Sequence, residues 1–104
     1  MTVHEITKEK FEQQITKERE CIIKFTASWC SPCKYLAPIF EELSEEIKIP
    51  CYEVDVDKEP QLAQQFNILS VPTTVLLKNG KEVVRINGAL RKQQLKERLT
   101  TRVS

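Results

Sequence analysis

The segment Cys21–Thr26, with the sequence CIIKFT, constrains the fold of this chain more than any other feature. It is short, rich in apolar and β-branched residues, and interrupted only by Lys24. Runs of this kind are typical of strands that are buried on both faces of a sheet, because the side chains that point to either face are apolar. The segment therefore predicts a strand inside a sheet that other layers cover on both faces.

Strand and helix patterns alternate along the rest of the chain. Strand patterns cover Val3–Ile6, Cys21–Thr26, Cys51–Asp57, Thr73–Leu77 and Glu82–Ile86. Thr7 can cap a first helix whose Phe11 and Ile15 lie on one face. Helical spacing also runs from Leu36 to Ile47, from Glu59 to Phe66, and through Leu95, Leu99 and Val103. Asn79–Gly80 is the preferred centre of a two-residue hairpin turn, since both positions need positive φ. This order predicts a three-layer α/β fold with a mixed five-stranded sheet.

Length and composition limit the classes of function. The chain has 104 residues, enough for a single core, and we expect residues 1–104 to form one domain. A formal net charge of +1 gives no general attraction to nucleic acid or to an anionic membrane. No apolar run approaches the roughly 20 residues of a membrane span, and the N-terminal sequence lacks the apolar region of a signal peptide. These features predict a cytoplasmic protein without nucleic-acid or membrane partners.

Cys30 and Cys33 lie between the end of the apolar strand and the start of the next helix. A C-x-x-C pair beside a βαβ pattern in a cytosolic chain is typical of a redox site. The free N–H groups and the dipole of a helix N-terminus favour a thiolate at Cys30. Pro32 falls in the first turn, where its missing N–H matters little. Cys33 is expected one turn inward and less exposed, so we expect Cys30 to attack and Cys33 to resolve the mixed disulfide.

Structural zinc is the competing interpretation of this pair. Zinc needs about four ligands, and the other candidates, His4, Cys21 and Cys51, include no second C-x-x-C or H-x-x-H pair. Strand alternation places Cys51 on the face of Glu53, and Cys21 on the face opposite Lys24. If Lys24 and Glu53 share a face, the two cysteines point to opposite sides of the sheet. We therefore expect no metal site and two inert core thiols.

Several motifs of the chain together resemble those of the thioredoxin family. WCSPCK, the proline five residues after the second cysteine, SVPT, KNGK and NGAL occur in thioredoxin order and spacing over essentially the whole length. The resemblance implies the thioredoxin fold, with four helices around the sheet. It implies a protein-disulfide reductase that works through a redox-active Cys30–Cys33 disulfide without a bound cofactor. The implied partners are a flavin-dependent thioredoxin reductase and disulfide-containing clients, and we expect a monomer.

The resemblance also implies a docking surface for clients. Its members are Trp29, Ser31, Pro32, Val71, Pro72, Gly88 and Ala89, together with the rest of the Ile68–Val71 loop. A lone tryptophan is usually a core residue, but the place of Trp29 on an exposed turn favours a substrate platform. A cis peptide before Pro72 is implied to face the dithiol. A client strand would then pair with backbone groups along Val71.

Three features depart from the thioredoxin pattern. Ser31 stands where glycine is usual, and Arg91 stands where a serine usually caps the last helix. Lys24 occupies the position of a buried aspartate, and Glu53 that of the lysine facing it. One interpretation is that Lys24 snorkels to water. Since a lone buried ammonium is unfavourable, we hypothesise instead a partly buried Lys24–Glu53 ion pair behind Cys33. Lys24 would favour both thiolates, and Glu53 becomes the candidate base.

Two alternatives to a general reductase stay open. The first is a binding module whose thiols only dock a partner. The second is an exchanger that is dedicated to one client or is more oxidising, because stabilised thiolates make a dithiol couple more oxidising. A Cys30→Ser variant separates the classes, since a reductase loses disulfide turnover whereas a binding module keeps its affinity.

Overall fold

Strands and helices follow one another in the predicted order. A computed structural model describes residues 3–100 of the chain. The strands are β1 (Val3–Glu5), β2 (Glu20–Thr26), β3 (Cys51–Asp55), β4 (Thr73–Lys78) and β5 (Lys81–Asn87). The helices are α1 (Lys8–Gln13), α2 (Ser31–Glu46), α3 (Pro60–Gln65) and α4 (Lys92–Thr100), with a short 3₁₀ helix at Ile15–Lys17. Val103, the last apolar position of the predicted final helix, lies outside the described residues.

The strands form one mixed sheet in the order β1-β3-β2-β4-β5. β1 and β2 both run parallel to β3, whereas β4 is antiparallel to β2 and to β5. β2 is therefore the central strand, in agreement with its apolar sequence. The turn between β4 and β5 has positive φ at Asn79 and Gly80, +52° and +80°. These angles confirm the predicted hairpin turn.

Helices cover both faces of the sheet. On one face, Phe11 of α1 and Leu62 of α3 belong to the same core as Phe25 of β2. On the other face, Ile22 of β2 shares a second core with α2 and with Leu95 of α4. Alternate side chains of β2 thus enter two different cores, which explains why the strand lacks a polar face. The three-layer α/β architecture is confirmed.

Two elements end earlier than the sequence predicts. The alternation predicts β3 through Asp57, but β3 ends at Asp55. The Asp55 carboxylate accepts the N–H groups of Asp57 and Lys58 at 2.9 and 3.3 Å, and this turn ends the strand. The first helix stops at Gln13, and Ile15 lies in the 3₁₀ helix. Ile15 is nevertheless buried, so the predicted apolar face is kept.

The topology brings several element ends to one edge of the sheet. β2 and β3 are parallel, so both finish at this edge. β4 is antiparallel to β2, so it begins there, and β5 returns there with Asn87 opposite Thr73. α2 starts at the same edge, because only four residues separate it from the end of β2. The loops at this edge and the start of α2 carry the two predicted cysteines and the predicted docking residues.

Candidate active site

Cys30 and Cys33 lie where β2 passes into α2. Cys30 caps the N-terminus of α2 with an extended backbone, and Cys33 lies in its first turn. The N–H of Cys33 donates to Sγ of Cys30 at 3.2 Å. The two residues form a disulfide, with their Cα atoms 5.2 Å apart. Once this disulfide is reduced, the helix N-terminus and the direct N–H donor favour a thiolate on Cys30.

The residues between the cysteines open the helix. Ser31 and Pro32 occupy its first turn, where backbone N–H groups have no partner within the helix. A proline is tolerated there for this reason, as the sequence predicts. Both side chains are exposed. Ser31 and Pro32 therefore present one polar and one apolar side chain to solvent beside the disulfide.

The exposed fractions of Cys30 and Cys33 are nearly equal in the disulfide form. Cys30 is 4% exposed and Cys33 is 3% exposed. Cys33 is the less exposed residue, but the difference is too small to assign roles. Their neighbours differ more clearly, because Sγ of Cys30 lies 3.5 Å from the carbonyl oxygen of Val71. Cys30 is thus the cysteine that borders the loop before β4.

The loop before β4 lies beside the disulfide and forms one wall of a groove. Its Val71–Pro72 peptide bond is cis, which confirms the expectation from the family resemblance. The carbonyl oxygen of Pro72 accepts the N–H of Gly88 at 2.8 Å, so this loop is joined to the turn after β5. Gly88 has a φ of +93°, a conformation that favours glycine. Ala89 follows, half-buried against the core on the α2 side.

Trp29 forms the opposite wall of the groove. Its side chain is 67% exposed, which excludes a core position for this tryptophan. The space between it and the loop measures about 130 Å³ and is lined by Trp29, Val56, Ile68, Leu69, Ser70 and Val71. The indole Nε1 donates to Oδ2 of Asp57 at 2.8 Å. The sequence did not indicate this role for Asp57, because Asp57 lies at the end of the predicted strand Cys51–Asp57 and its partner is 28 residues away.

Comparison with known proteins identifies the family of the chain. Residues 2–101 match the family model described as Thioredoxin. The chain is a member of the thioredoxin family. The thioredoxin of Alicyclobacillus acidocaldarius subsp. acidocaldarius is 35% identical over 96 residues, which cover 90% of this chain and 91% of that protein.

Two other thioredoxin relatives illustrate the range of the family. The crystal structure of Malassezia sympodialis thioredoxin (Mala s 13) matches with a TM-score of 0.86 at 35% identity, over 95% of this chain and 89% of that one. A bifunctional thioredoxin reductase/thioredoxin of Mycobacterium leprae (strain TN) is 36% identical over 87 residues. That match covers 82% of this chain and 19% of the longer protein.

Membership confirms the fold and the activity that the motifs imply. The mixed sheet between helical layers is the thioredoxin fold. The protein is a thiol–disulfide oxidoreductase, a protein-disulfide reductase, and the Cys30–Cys33 disulfide is its redox-active group. Within residues 3–100, no three His, Cys, Asp or Glu side chains are grouped so that they would hold a metal ion. Over the same part of the chain, no helix combines the length and the apolar character that crossing a membrane requires.

Lys24 and Glu53 replace the usual thioredoxin residues with charges of the opposite sign. They lie directly opposite each other in the parallel register of β2 and β3. Nζ of Lys24 is 3.8 Å from Oε1 of Glu53, a contact between charges that is too long for a hydrogen bond. The Lys24 side chain is 3% exposed and that of Glu53 is 35% exposed. The predicted ion pair is therefore present, and the interpretation that Lys24 snorkels to water is wrong.

The surroundings of Lys24 disfavour its positive charge. Burial lowers the pKa of the ammonium below its usual value, while the carboxylates of Glu53 and Glu41 act against this shift. Nζ also lies over the ring of Phe40, 5.1 Å from its centroid, where the face of the ring attracts a cation. A cavity of about 310 Å³ is bordered by Lys24, Glu53 and Cys33. The ion pair thus adjoins the inner cysteine.

The two remaining cysteines lie in different cores. Cys21 packs on the face covered by α1 and α3, and Cys51 on the face covered by α2 and α4. Both are buried free thiols. Burial, with a contribution from nearby carboxylates, raises the pKa of each thiol to about 12. Their placement confirms the prediction that Cys21 and Cys51 point to opposite sides of the sheet.

Proposed function

We propose that Cys30 is the attacking thiol of this disulfide reductase and Cys33 the resolving thiol. The observation that carries the assignment is the 3.2 Å hydrogen bond from the Cys33 N–H to Sγ of Cys30 at the N-terminus of α2. A negative charge on this sulfur is stabilised by the donor and by the positive end of the helix dipole. The position of Cys30 beside Val71, at the groove, adds support because a client sulfur would arrive there.

The proposed reaction consists of two thiol–disulfide exchanges. The Cys30 thiolate attacks one sulfur of a client disulfide, forms a mixed disulfide and expels the other client sulfur as a thiolate. The Cys33 thiolate then attacks Sγ of Cys30 and expels the second client thiolate. The client gains two electrons and binds two protons, and the protein is left with the Cys30–Cys33 disulfide.

The surface around the groove is assigned to client docking. The assigned residues are Trp29, Ser31, Pro32, the segment Ile68–Val71, Pro72, Gly88 and Ala89. The exposed apolar side chains of Trp29 and Leu69 support this assignment, since they border the groove and are not shielded by the fold. A client in an extended conformation would lie along the backbone of Val71. Its disulfide would then reach Sγ of Cys30, which is 3.5 Å from the Val71 oxygen.

The Lys24–Glu53 pair is proposed to tune the reactivity of the dithiol. An ammonium group behind Cys33 favours the thiolate form of both cysteines. Glu53 is partly exposed and borders the same cavity as Cys33, so it is the proposed acceptor of the Cys33 proton. Because stabilised thiolates make a couple more oxidising, the pair also favours a second candidate function. That candidate is a more oxidising or client-dedicated thiol–disulfide exchanger.

The reductase needs a supply of electrons after each turnover. A flavoprotein of the thioredoxin reductase type is the proposed donor, supported by the bifunctional relative whose name combines both activities in one protein. The proposed clients are proteins with accessible disulfides. Residues 1–104 are proposed to act as one monomeric domain in the cytoplasm, where the surrounding redox poise keeps thiols reduced.

Brief alkylation of the reduced protein tests the roles of the two thiols. A limiting amount of iodoacetamide should modify Cys30 before Cys33, as read by peptide mass spectrometry. Cys51 serves as an internal control, because its thiol pKa is raised to about 12 and it should react only after unfolding. Modification of Cys33 before Cys30 would reverse the assignment.

A Cys30→Ser variant tests the reductase against the binding module. Reduction of insulin disulfides should be lost in this variant and kept in a Cys51→Ala control, which removes a thiol from the core beneath α2. A Cys33→Ser variant should accumulate the mixed disulfide on Cys30. Undiminished insulin reduction by Cys30→Ser would contradict the proposed chemistry.

A further inference from the structure

Arg85 of β5 lies outside the groove, yet its side chain reaches the turn from which the docking segment Ile68–Val71 begins. Nη2 of Arg85 donates to the carbonyl oxygen of Phe66 at 2.6 Å, and Nη1 donates to that of Asn67 at 3.4 Å. Phe66 is the residue that ends α3. Arg85 pairs with Val75 in the β4–β5 register, and Val75 belongs to the core under α1 and α3. The guanidinium therefore links the edge strand to the end of α3.

Glu82 fixes the orientation of this guanidinium. Nε and Nη2 of Arg85 donate to the two carboxylate oxygens of Glu82, at 2.7 and 2.8 Å. Two parallel charge-assisted hydrogen bonds define the plane of the guanidinium as well as its position. The remaining N–H groups then point toward Phe66 and Asn67. A lysine has no planar fork and would not be oriented in this way.

The turn that Arg85 contacts ends α3 in a left-handed conformation. Asn67 has a φ of +54°, in the region that glycine favours and that asparagine adopts more readily than most other residues. The N–H groups of Asn67 and Ile68 donate back to the carbonyl oxygens of Gln64 and Ala63, both at 3.0 Å, as in a Schellman motif. The carbonyl groups of Phe66 and Asn67 lie at the negative end of α3. A cation placed there stabilises the helix end.

The docking segment follows this turn directly. Ile68 packs against the core beneath α1 and α3, whereas Leu69 is exposed at the groove. Val71 ends the segment, with its carbonyl oxygen 3.5 Å from Sγ of Cys30. Only a few residues separate the Arg85 contact from Val71, so we expect a shift at Asn67 to change the placement of the Val71 backbone.

We propose that Arg85, oriented by Glu82, is a positioning residue for client docking. It holds the C-terminal turn of α3 so that the backbone of Ile68–Val71 is aligned with Cys30 before a client arrives. The inference rests on the proposed docking role of Ile68–Val71. Because Arg85 acts through the backbone of Ile68–Val71, we expect it to affect how the peptide part of a client docks and to leave the sulfur chemistry unchanged. Its loss is therefore expected to affect protein clients and to spare small disulfides that have no peptide backbone.

The test compares a protein disulfide with a small one. Pre-reduced protein is mixed with insulin or with hydroxyethyl disulfide, and oxidation is followed by the fluorescence of Trp29, the single tryptophan. Arg85→Met should lower the second-order rate constant for insulin on the order of threefold to tenfold and leave that for hydroxyethyl disulfide unchanged. Arg85→Lys should give an intermediate value. Arg19→Met removes an exposed arginine that precedes β2, at the far end of the sheet, and should match the wild type.

Two results would overturn the inference. An unchanged insulin rate constant in folded Arg85→Met would show that the contact does not position the segment. An equal loss for both disulfides would place the effect on the dithiol itself. If Arg85→Met does not fold, the rate constants for insulin and for hydroxyethyl disulfide are compared in Arg85→Lys and Glu82→Gln instead.

A Leu69→Ser variant separates this inference from the docking proposal on which it rests. If Leu69→Ser slows insulin reduction and the Arg85 variants do not, only the role of Arg85 fails. If neither substitution slows insulin reduction, the docking role of Ile68–Val71 fails as well. Slower insulin reduction by both, with the small disulfide unaffected, supports both steps.

Discussion

Replacing Glu53 with glutamine is expected to destabilise the protein more than replacing its partner Lys24 with methionine. Lys24 is the buried member of the pair, 3% exposed against 35% for Glu53. Glu53→Gln removes the carboxylate and leaves an ammonium in the core without this counter-charge. Lys24→Met removes the buried charge and leaves a carboxylate that water still reaches. The asymmetry follows from burial, since both variants break the same contact.

The magnitude follows from the separation of the charges. At 3.8 Å and an effective dielectric constant of about 20, the attraction is about 4 kcal/mol. Exposure of Glu53 to water screens roughly half of this energy. We therefore expect Glu53→Gln to lower the free energy of unfolding by about 2 kcal/mol at neutral pH. Lys24→Met should lower it by less than about 1 kcal/mol, because removing the buried charge also removes its desolvation.

The loss in Glu53→Gln should shrink as the pH rises. Burial lowers the pKa of folded Lys24 below the usual 10.5, so the unfolded chain binds more protons between the folded and the usual value. The stability that depends on this group therefore rises with pH through that window. Without the opposing carboxylate of Glu53 the folded pKa falls further, and the window begins at a lower pH. Above the pKa that Lys24 has in the folded wild type and in folded Glu53→Gln, its amine is neutral in both proteins. The difference in stability between the two proteins then disappears.

Urea unfolding of the oxidised proteins, followed by circular dichroism at neutral and at alkaline pH, measures these differences. Glu45→Gln is the matched control, because it removes an exposed carboxylate from α2 and strands no buried charge. A stability loss in Glu53→Gln no larger than that in Glu45→Gln would contradict the expected role of the counter-charge. A larger loss in Lys24→Met than in Glu53→Gln would contradict the expected asymmetry.

Two further predictions concern the dithiol and the turn beside it. Lys24→Met should raise the thiol pKa of Cys30, measured by thiolate absorbance, and make the dithiol couple more reducing, measured by equilibration with glutathione. An unchanged thiolate titration would contradict the electrostatic role of Lys24. Gly88→Ala should lower the free energy of unfolding by about 1 kcal/mol, because φ is +93° there and, among the described residues, no atom within 4 Å obstructs the added Cβ. An unchanged urea midpoint in Gly88→Ala would contradict this second expectation.

Local patterns predicted the fold well because periodicity and turn chemistry act over a few residues. The apolar run at Cys21–Thr26 predicted the central strand, and Asn79–Gly80 predicted the hairpin. Asp57 and Arg85 were not predicted, because their partners lie 28 and 19 residues away in sequence. The acceptors of Arg85 on α3 are also backbone carbonyls, which every residue carries. Such contacts depend on how helices and strands pack against one another, and the spacing of residues along the sequence does not predict them.

The resemblance to thioredoxins placed Lys24 opposite Glu53, at the position of a buried residue. The two strands also differ in sequence, because Lys24 interrupts an apolar run whereas Glu53 alternates with apolar residues. The sheet order explains the difference in burial, because β2 is central whereas β3 is flanked by the three-residue strand β1. α2 also covers Lys24, with the Phe40 ring against its ammonium.

The Lys24–Glu53 pair has a net formal charge of zero, but its two charges are unequally buried. Water screens the field of the partly exposed Glu53 carboxylate more strongly than that of the buried Lys24 ammonium. Cys33 borders the same cavity as both groups, so we expect the less screened positive charge to dominate the potential at its sulfur. The formally neutral pair is then expected to favour the thiolate. The reversed pair is for this reason expected to shift the redox couple in the oxidising direction rather than to leave it unchanged.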